Sequence, residues 1–121
     1  MELKRLGNEM TVCKVASIED IDLSGEFVFV GKTDEEISLV CETCDAPATT
    51  IEREDGWRCF RIQGVLDFSL VGVLAKITGV LADEGIGIFA VSTFNTDYIL
   101  VTEHDFARAM DALAAAGYSV V

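Results

Sequence analysis

Residues 68–101 read FSLVGVLAKITGVLADEGIGIFAVSTFNTDYILV, and their hydrophobic period changes part-way along. Val73, Leu74, Ile77, Val80 and Leu81 stand at i, i+1, i+4, i+7 and i+8, which is a single apolar stripe on a helix. Beyond Gly85 the pattern becomes two apolar runs, residues 86–93 and 98–102, which read as strands joined through residues 94–97. A chain that must bury a helical stripe and two adjoining strands is confined to helices layered on a sheet. Ser69 is the expected N-cap of the helix and Gly85 the expected C′ residue. Gly79 inside the helix costs about 1 kcal/mol relative to alanine. It points either to a close approach by another backbone or to a tolerated imperfection.

The same reading extends to both sides. Residues 57–62 (WRCFRI) form a strand before the helix. A second helix starts near Asp105 and buries Phe106, Ala109, Met110 and Leu113 at i, i+3, i+4 and i+7, and Gly117 ends it. Residues 118–121 close as a strand. The second half is therefore β-α-β-β-α-β, the ferredoxin-like order. In the first half, residues 11–16, 27–30 and 37–41 read as strands, with a short helix near residues 46–51. That half has the same order with its helices worn down, a degenerate copy. The expected fold class is α+β: tandem ferredoxin-like (βαββαβ) subdomains over residues 1–55 and 56–121, antiparallel sheets with helices on one face.

Charge and motif exclude several classes of function. The net charge of −12 opposes nucleic acid, whose phosphates need clustered Lys and Arg, and opposes an anionic membrane surface. No apolar run reaches the ~18 residues of a membrane span, and the N-terminus lacks a signal-peptide pattern, so the chain reads as cytoplasmic. Of Cys13, Cys41, Cys44 and Cys59, only Cys41 and Cys44 have the C-x2-C spacing, with no second pair to complete a zinc site. They read as reduced thiols. GKT at residues 31–33 lacks the preceding glycine of a phosphate loop, since Glu26 stands in its place. His104 has no partnered nucleophile, and the acidic pairs Asp34–Glu36 and Asp83–Glu84 read as solvated faces. The chain is therefore read as non-catalytic, with no cofactor and no metal.

The run VLDFSLVGVLAKITGVLADEGIGIFAVSTFNTDYILVTEHDFARAMDAL resembles an ACT domain, and more narrowly the small tandem-ACT proteins related to the CASTOR-type arginine sensors. FVFVGKTDEEISLVC resembles the first-half hairpin of the same proteins. The resemblance implies a βαββαβ fold that binds amino acids or other small ligands at subunit or domain interfaces. Carried over by position, the ligand-binding residues are Asp67, Ser69, Leu70, Val71, Gly72 and Val73 on one side. On the other they are Thr93, Phe94, Asn95, Thr96 and Asp97, with Asp97 standing where the sensors face a cationic side chain. At Asp67 and Leu70 the chain departs from the sensor pattern, which leaves arginine specificity open.

The residues allow a physical reading of their own. A helix N-terminus near residues 69–73 presents unpaired N–H groups and a partial positive charge to a carboxylate. The turn at residues 93–97 offers hydroxyls, an amide and a carboxylate, which suit an ammonium. The same residues could equally cap the helix and make the turn, with no ligand at all. Taken with the resemblance, the expectation is a regulatory or sensor protein that binds a small molecule, an amino acid by preference. It would act through ligand-dependent assembly, with a homodimer recreating the tandem pair, or through a protein partner not identifiable from sequence. The alternative is a structural or interaction domain whose ligand site has decayed.

Overall fold

The structure is a computed structural model that describes residues 1–67 and 69–121; Phe68, the first residue of the stretch that organises the sequence, lies outside the described residues. Among the described residues, seven strands and two α-helices follow in the order β1 (Glu2–Val15), β2 (Val28–Lys32), β3 (Ile37–Glu42), β4 (Glu52–Ile62), α1 (Val73–Asp83), β5 (Phe89–Ser92), β6 (Asp97–Thr102), α2 (Glu103–Ala115) and β7 (Ser119–Val120). The chain divides into two compact units, Asn8–Trp57 and a second made of Met1–Gly7 with Arg58–Val121. β1 and β4 each run from one unit into the other. The first seven residues thus belong with the C-terminal unit, where β1 pairs with β7.

In the unit that holds both helices, β4-α1-β5-β6-α2-β7 follows the ferredoxin-like order, an α+β arrangement with antiparallel pairing of β5 with β6. The sheet departs from that plan at one point. The start of β1 pairs with β7 in parallel, through Glu2↔Ser119 and Leu3↔Val120, and β1 lies beside β4. The closing strand is thereby satisfied by β1: Val121 N–H donates to Leu3 O at 2.8 Å, and Arg5 N–H to Val121 O at 3.0 Å.

Alternation along β4 and β6 puts Phe60, Ile62, Ile99 and Val101 on one face of the sheet, all fully buried. Ile77 and Leu81 of α1 and Phe106, Ala109, Met110 and Leu113 of α2 close over them in one core. Val73, Leu74 and Val80 pack on its margin, so the apolar stripe read from the sequence is the buried stripe. Gly79 has another explanation than a close backbone approach. A Cβ there would meet nothing within 4 Å, so the residue sits in open space on the exposed side of α1.

The unit Asn8–Trp57 has the strand order β2-β3-β1-β4. Single 3-10 turns, Ile18–Asp20 and Thr43–Asp45, follow β1 and β3. The helix expected near residues 46–51 does not form; the consecutive β-branched residues Thr49, Thr50 and Ile51 disfavour helical backbone there. The β2–β3 hairpin closes by Thr33 N–H donating to Glu36 O at 2.9 Å, so GKT is the end of β2 and the first residue of its turn. Cys13, Val15, Leu39 and Cys41 form the small apolar core of this unit. Thr11 is fully buried because its hydroxyl has partners in Asp55, at 2.6 Å, and Thr43, at 2.8 Å.

Candidate functional site

The cleft begins with the residues that stop β4 and start α1. Asp67 folds the loop back on itself: its Oδ1 accepts the Ser69 N–H at 2.8 Å and its carbonyl accepts the Leu70 N–H at 3.0 Å. The Ser69 contact holds the Asp67 carboxyl below its ordinary value. Because this turn occupies Ser69, the helix does not start there. α1 starts after Gly72, its N-cap, whose φ of 83° and ψ of 6° are left-handed and open to glycine at little cost. Among the described residues no side-chain cap is made to the helix. The first intrahelical bond runs from Lys76 N–H to Gly72 O, which leaves the first-turn amides of Val73, Leu74 and Ala75 for another acceptor. The expected Ser69 cap is thus replaced by an uncapped helix end, the more open of the two arrangements toward an anion.

The opposite wall is the β5–β6 hairpin turn. Ser92 pairs with Asp97, and the Ser92 hydroxyl donates to Asp97 Oδ1 at 2.5 Å. Thr93 N–H donates to Thr96 O at 2.8 Å, the Thr93 hydroxyl donates to the same oxygen at 3.0 Å, and Thr96 N–H returns to Thr93 Oγ1 at 3.3 Å. Two bonds fix this turn to its surroundings within the unit. Leu66 N–H donates to Asn95 O at 2.7 Å, and the buried Thr96 hydroxyl donates to Ile62 O at 2.8 Å. Loop and hairpin are therefore tied together by one backbone bond and one side-chain bond.

Between them lies an open cleft of about 320 Å³, the size of a site for a small metabolite. Asp67, Leu70, Gly72 and Val73 line one side, and Thr93, Phe94, Asn95, Thr96 and Asp97 the other. Ser69 and Val71 do not line it; Ser69 is turned back to Asp67, and Val71 is 92% exposed. Leu66, Leu74, Ala75 and Ser92, the last at the start of the second polar joint, line it as well. Two of these were within reach of sequence reasoning. Leu74 follows from its place in the first turn of the helix, and Ser92 from its place opposite Asp97 across a four-residue turn. The described lining residues include two carboxylates, Asp67 and Asp97, and no Lys, Arg or His.

The cysteines lie in the other unit apart from Cys59, which is buried on β4. Cys41 is buried and Cys44 exposed, so the C-x2-C spacing spans the edge of a core. Burial pushes the Cys41 thiol up to about 11 and the Cys59 thiol up to about 12, the opposite of a reactive thiolate. Glu42, Cys44 and Asp45 bring their side-chain ends within 4.8 Å of one another on a single turn. No helix among the described residues is long and apolar enough to cross a membrane.

The βαββαβ order of the unit with both helices agrees with comparison to known proteins. The sequence profile of the ACT domain family matches residues 52–115, more than half of the chain, and the chain belongs to that family. It is 41% identical over 58 residues to cytosolic arginine sensor for mTORC1 subunit 1 of Mus musculus, a match that covers 47% of this chain and 18% of that protein. The chain thus spans less than a fifth of the curated relatives it matches. The crystal structure of protein Atu0741 from Agrobacterium tumefaciens is 35% identical, with a TM-score of 0.87 over 99% of this chain and 91% of that one. The structure of aspartokinase alpha and beta subunits is 18% identical, with a TM-score of 0.66 over 96% and 97%, and shares the fold.

Proposed function

We propose that the cleft binds a free α-amino acid and that the chain is a non-catalytic regulatory module. The observation that carries this reading is the uncapped first turn of α1 lining the same cleft as Asp97. The amides of Val73, Leu74 and Ala75 take the ligand's carboxylate, and Asp97 takes its ammonium. Membership of the ACT domain family and the match to a protein named as an arginine sensor support the same reading. The output passes through assembly or through a protein partner. Leu70, Val71 and Phe94, large apolar side chains 52%, 92% and 79% exposed beside the cleft, suit a second copy of the chain closing over it. The module works in the cytoplasm on this reading.

The unit Asn8–Trp57 is proposed to be a degenerate copy of the other. Its hairpin supports this: Lys32 pairs with Ile37 as Ser92 pairs with Asp97, and each four-residue turn opens on a threonine, Thr33 or Thr93, that closes it in the same way. The exposed apolar side chains also favour a second reading, a protein-docking domain with no small ligand. A thermal-shift panel of free amino acids separates the two. A ligand at a hundredfold over its Kd adds about 2.7 kcal/mol, which raises the melting midpoint by about 5–15 °C for a domain of this size. A flat panel would leave the docking reading in front.

A further inference from the structure

We propose that the turn after β3 is a site for a borderline divalent cation such as zinc, with Glu42, Cys44 and Asp45 as its protein ligands. The site lies in the unit Asn8–Trp57 and stands independently of the amino-acid reading of the cleft. Thr43–Asp45 is a single 3-10 turn with Glu42 as its N-cap, closed by Ala46 N–H donating to Thr43 O at 3.2 Å. Such a turn stacks the side chains of positions i and i+3, here Glu42 and Asp45, and Cys44 comes beside them. One carboxylate oxygen from each acid and the Cys44 Sγ lie within 4.8 Å of one another. Around a tetrahedral zinc, with bonds of about 2.0–2.3 Å, the same atoms stand about 3.4–3.6 Å apart. Small rotations of the exposed Cys44 and half-buried Asp45 side chains close the difference.

Acidic residues at a surface turn are ordinary; a buried one without a cation is not. Glu42 stands opposite Met10 at the end of β3, is 8% exposed, and is the one buried carboxylate among the described residues. No Lys, Arg or His pairs with it among those residues, whose ion pairs are Arg53–Asp55 and Arg108–Asp105. Its partner is the neutral amide of Asn8, which donates to Oε1 and leaves Oε2 for the turn. Burying a carboxylate is costly unless a cation or a metal meets it. A second carboxylate at this range adds repulsion, which a divalent cation turns into attraction. The Asn8 amide orients Glu42 as hydrogen-bonded neighbours orient metal-bound carboxylates. Asp45 is held as well: a Cβ at Gly25 would stand 2.6 Å from its Oδ2. The ligand set chooses the metal. One thiolate with two carboxylates suits zinc, whereas magnesium and calcium each need about six oxygens or more. The Cys44 thiol binds as thiolate, its proton passes to solvent, and water fills the fourth position.

The test uses the full chain, reduced and stripped with a chelator, titrated calorimetrically with zinc chloride and with magnesium chloride. Zinc should bind at a single site, raise the melting midpoint and slow the reaction of Cys44 with a disulfide reagent by about tenfold or more. Magnesium should do none of these. Asn8→Ala, which removes no ligand, should weaken zinc by about tenfold, and Cys44→Ser and Asp45→Asn each by at least as much. Cys44 and Asp45 are not buried, so both variants should keep the zinc-free melting midpoint of the parent. Zinc affinity that survives either Cys44→Ser or Asp45→Asn unchanged would overturn the proposal. So would a flat zinc titration of the parent, or a Cys44 that reacts equally fast with and without zinc.

Discussion

Two glycines seven residues apart should respond in opposite senses to the same substitution. Gly72 holds φ at 83° as the N-cap of α1, and a Cβ there would touch nothing within 4 Å. The penalty of Gly72→Ala is therefore purely conformational. The left-handed region costs an alanine about 1–2 kcal/mol, partly offset by the reduced freedom of the unfolded chain, for a net loss of about 1 kcal/mol. Gly79 has helical backbone, is exposed and also has open space around it. Gly79→Ala then gains the helix-propensity difference, about 0.8–1 kcal/mol, with no steric charge against it. The two variants should differ by about 2 kcal/mol in urea unfolding, seen as a shift in midpoint at constant m-value. A destabilised Gly79→Ala would mean that something packs against that face of α1. A neutral Gly72→Ala would mean that the helix does not start from a left-handed residue, and the uncapped amides of the cleft would lose their basis.

The remaining predictions concern the thiols and their pH dependence. In the native protein a disulfide reagent should modify Cys44 alone at a fast rate, since Cys13, Cys41 and Cys59 are buried; these three should react only when urea unfolds the chain, and fast reaction of a second thiol would refute the packing. Burial raises the folded thiols of Cys41 to about 11 and Cys59 to about 12, while the unfolded chain titrates near 9.0. Above pH 9 the unfolded state loses protons that the folded state keeps, so stability is complete below pH 9 and falls as pH rises toward 11–12. The slope is about 1.4 kcal/mol per pH unit for each thiol. Urea midpoints measured from pH 8 to 10.5 should fall accordingly, and because burial also raises the Cys13 thiol, Cys59→Ala should flatten the slope without abolishing it.

Much of the fold was legible because it is periodic. The stripe of Val73, Leu74, Ile77, Val80 and Leu81 and that of Phe106, Ala109, Met110 and Leu113 both pack on the core where the spacing placed them. Gly85 and Gly117 take positive φ just past the helix ends, as C′ residues do. What the pattern could not give is set by long-range pairing. β1 begins at Glu2 rather than near Thr11 because its first residues are held by β7, at the far end of the chain. The site shows the same division. Asp67 and Asp97 were visible as polar joints, but the start of α1 moved to Gly72 because the Asp67 turn competes for Ser69, a local hydrogen bond that residue type alone does not decide. Thr96 was read as a ligand contact. It lines the cleft, and its buried hydroxyl also donates to the Ile62 carbonyl, an acceptor 34 positions earlier that no local pattern points to.

The most direct measurement of the central claim is an amide chemical-shift titration with the amino acid that stabilises the protein best in the panel. The account predicts the largest changes at the amides of Val73, Leu74 and Ala75 and across the turn from Ser92 to Asp97. The same titration of Asp97→Asn should need several-fold more ligand to reach the same change. Saturating changes confined to the unit Asn8–Trp57, with the α1 first turn unmoved, would contradict it.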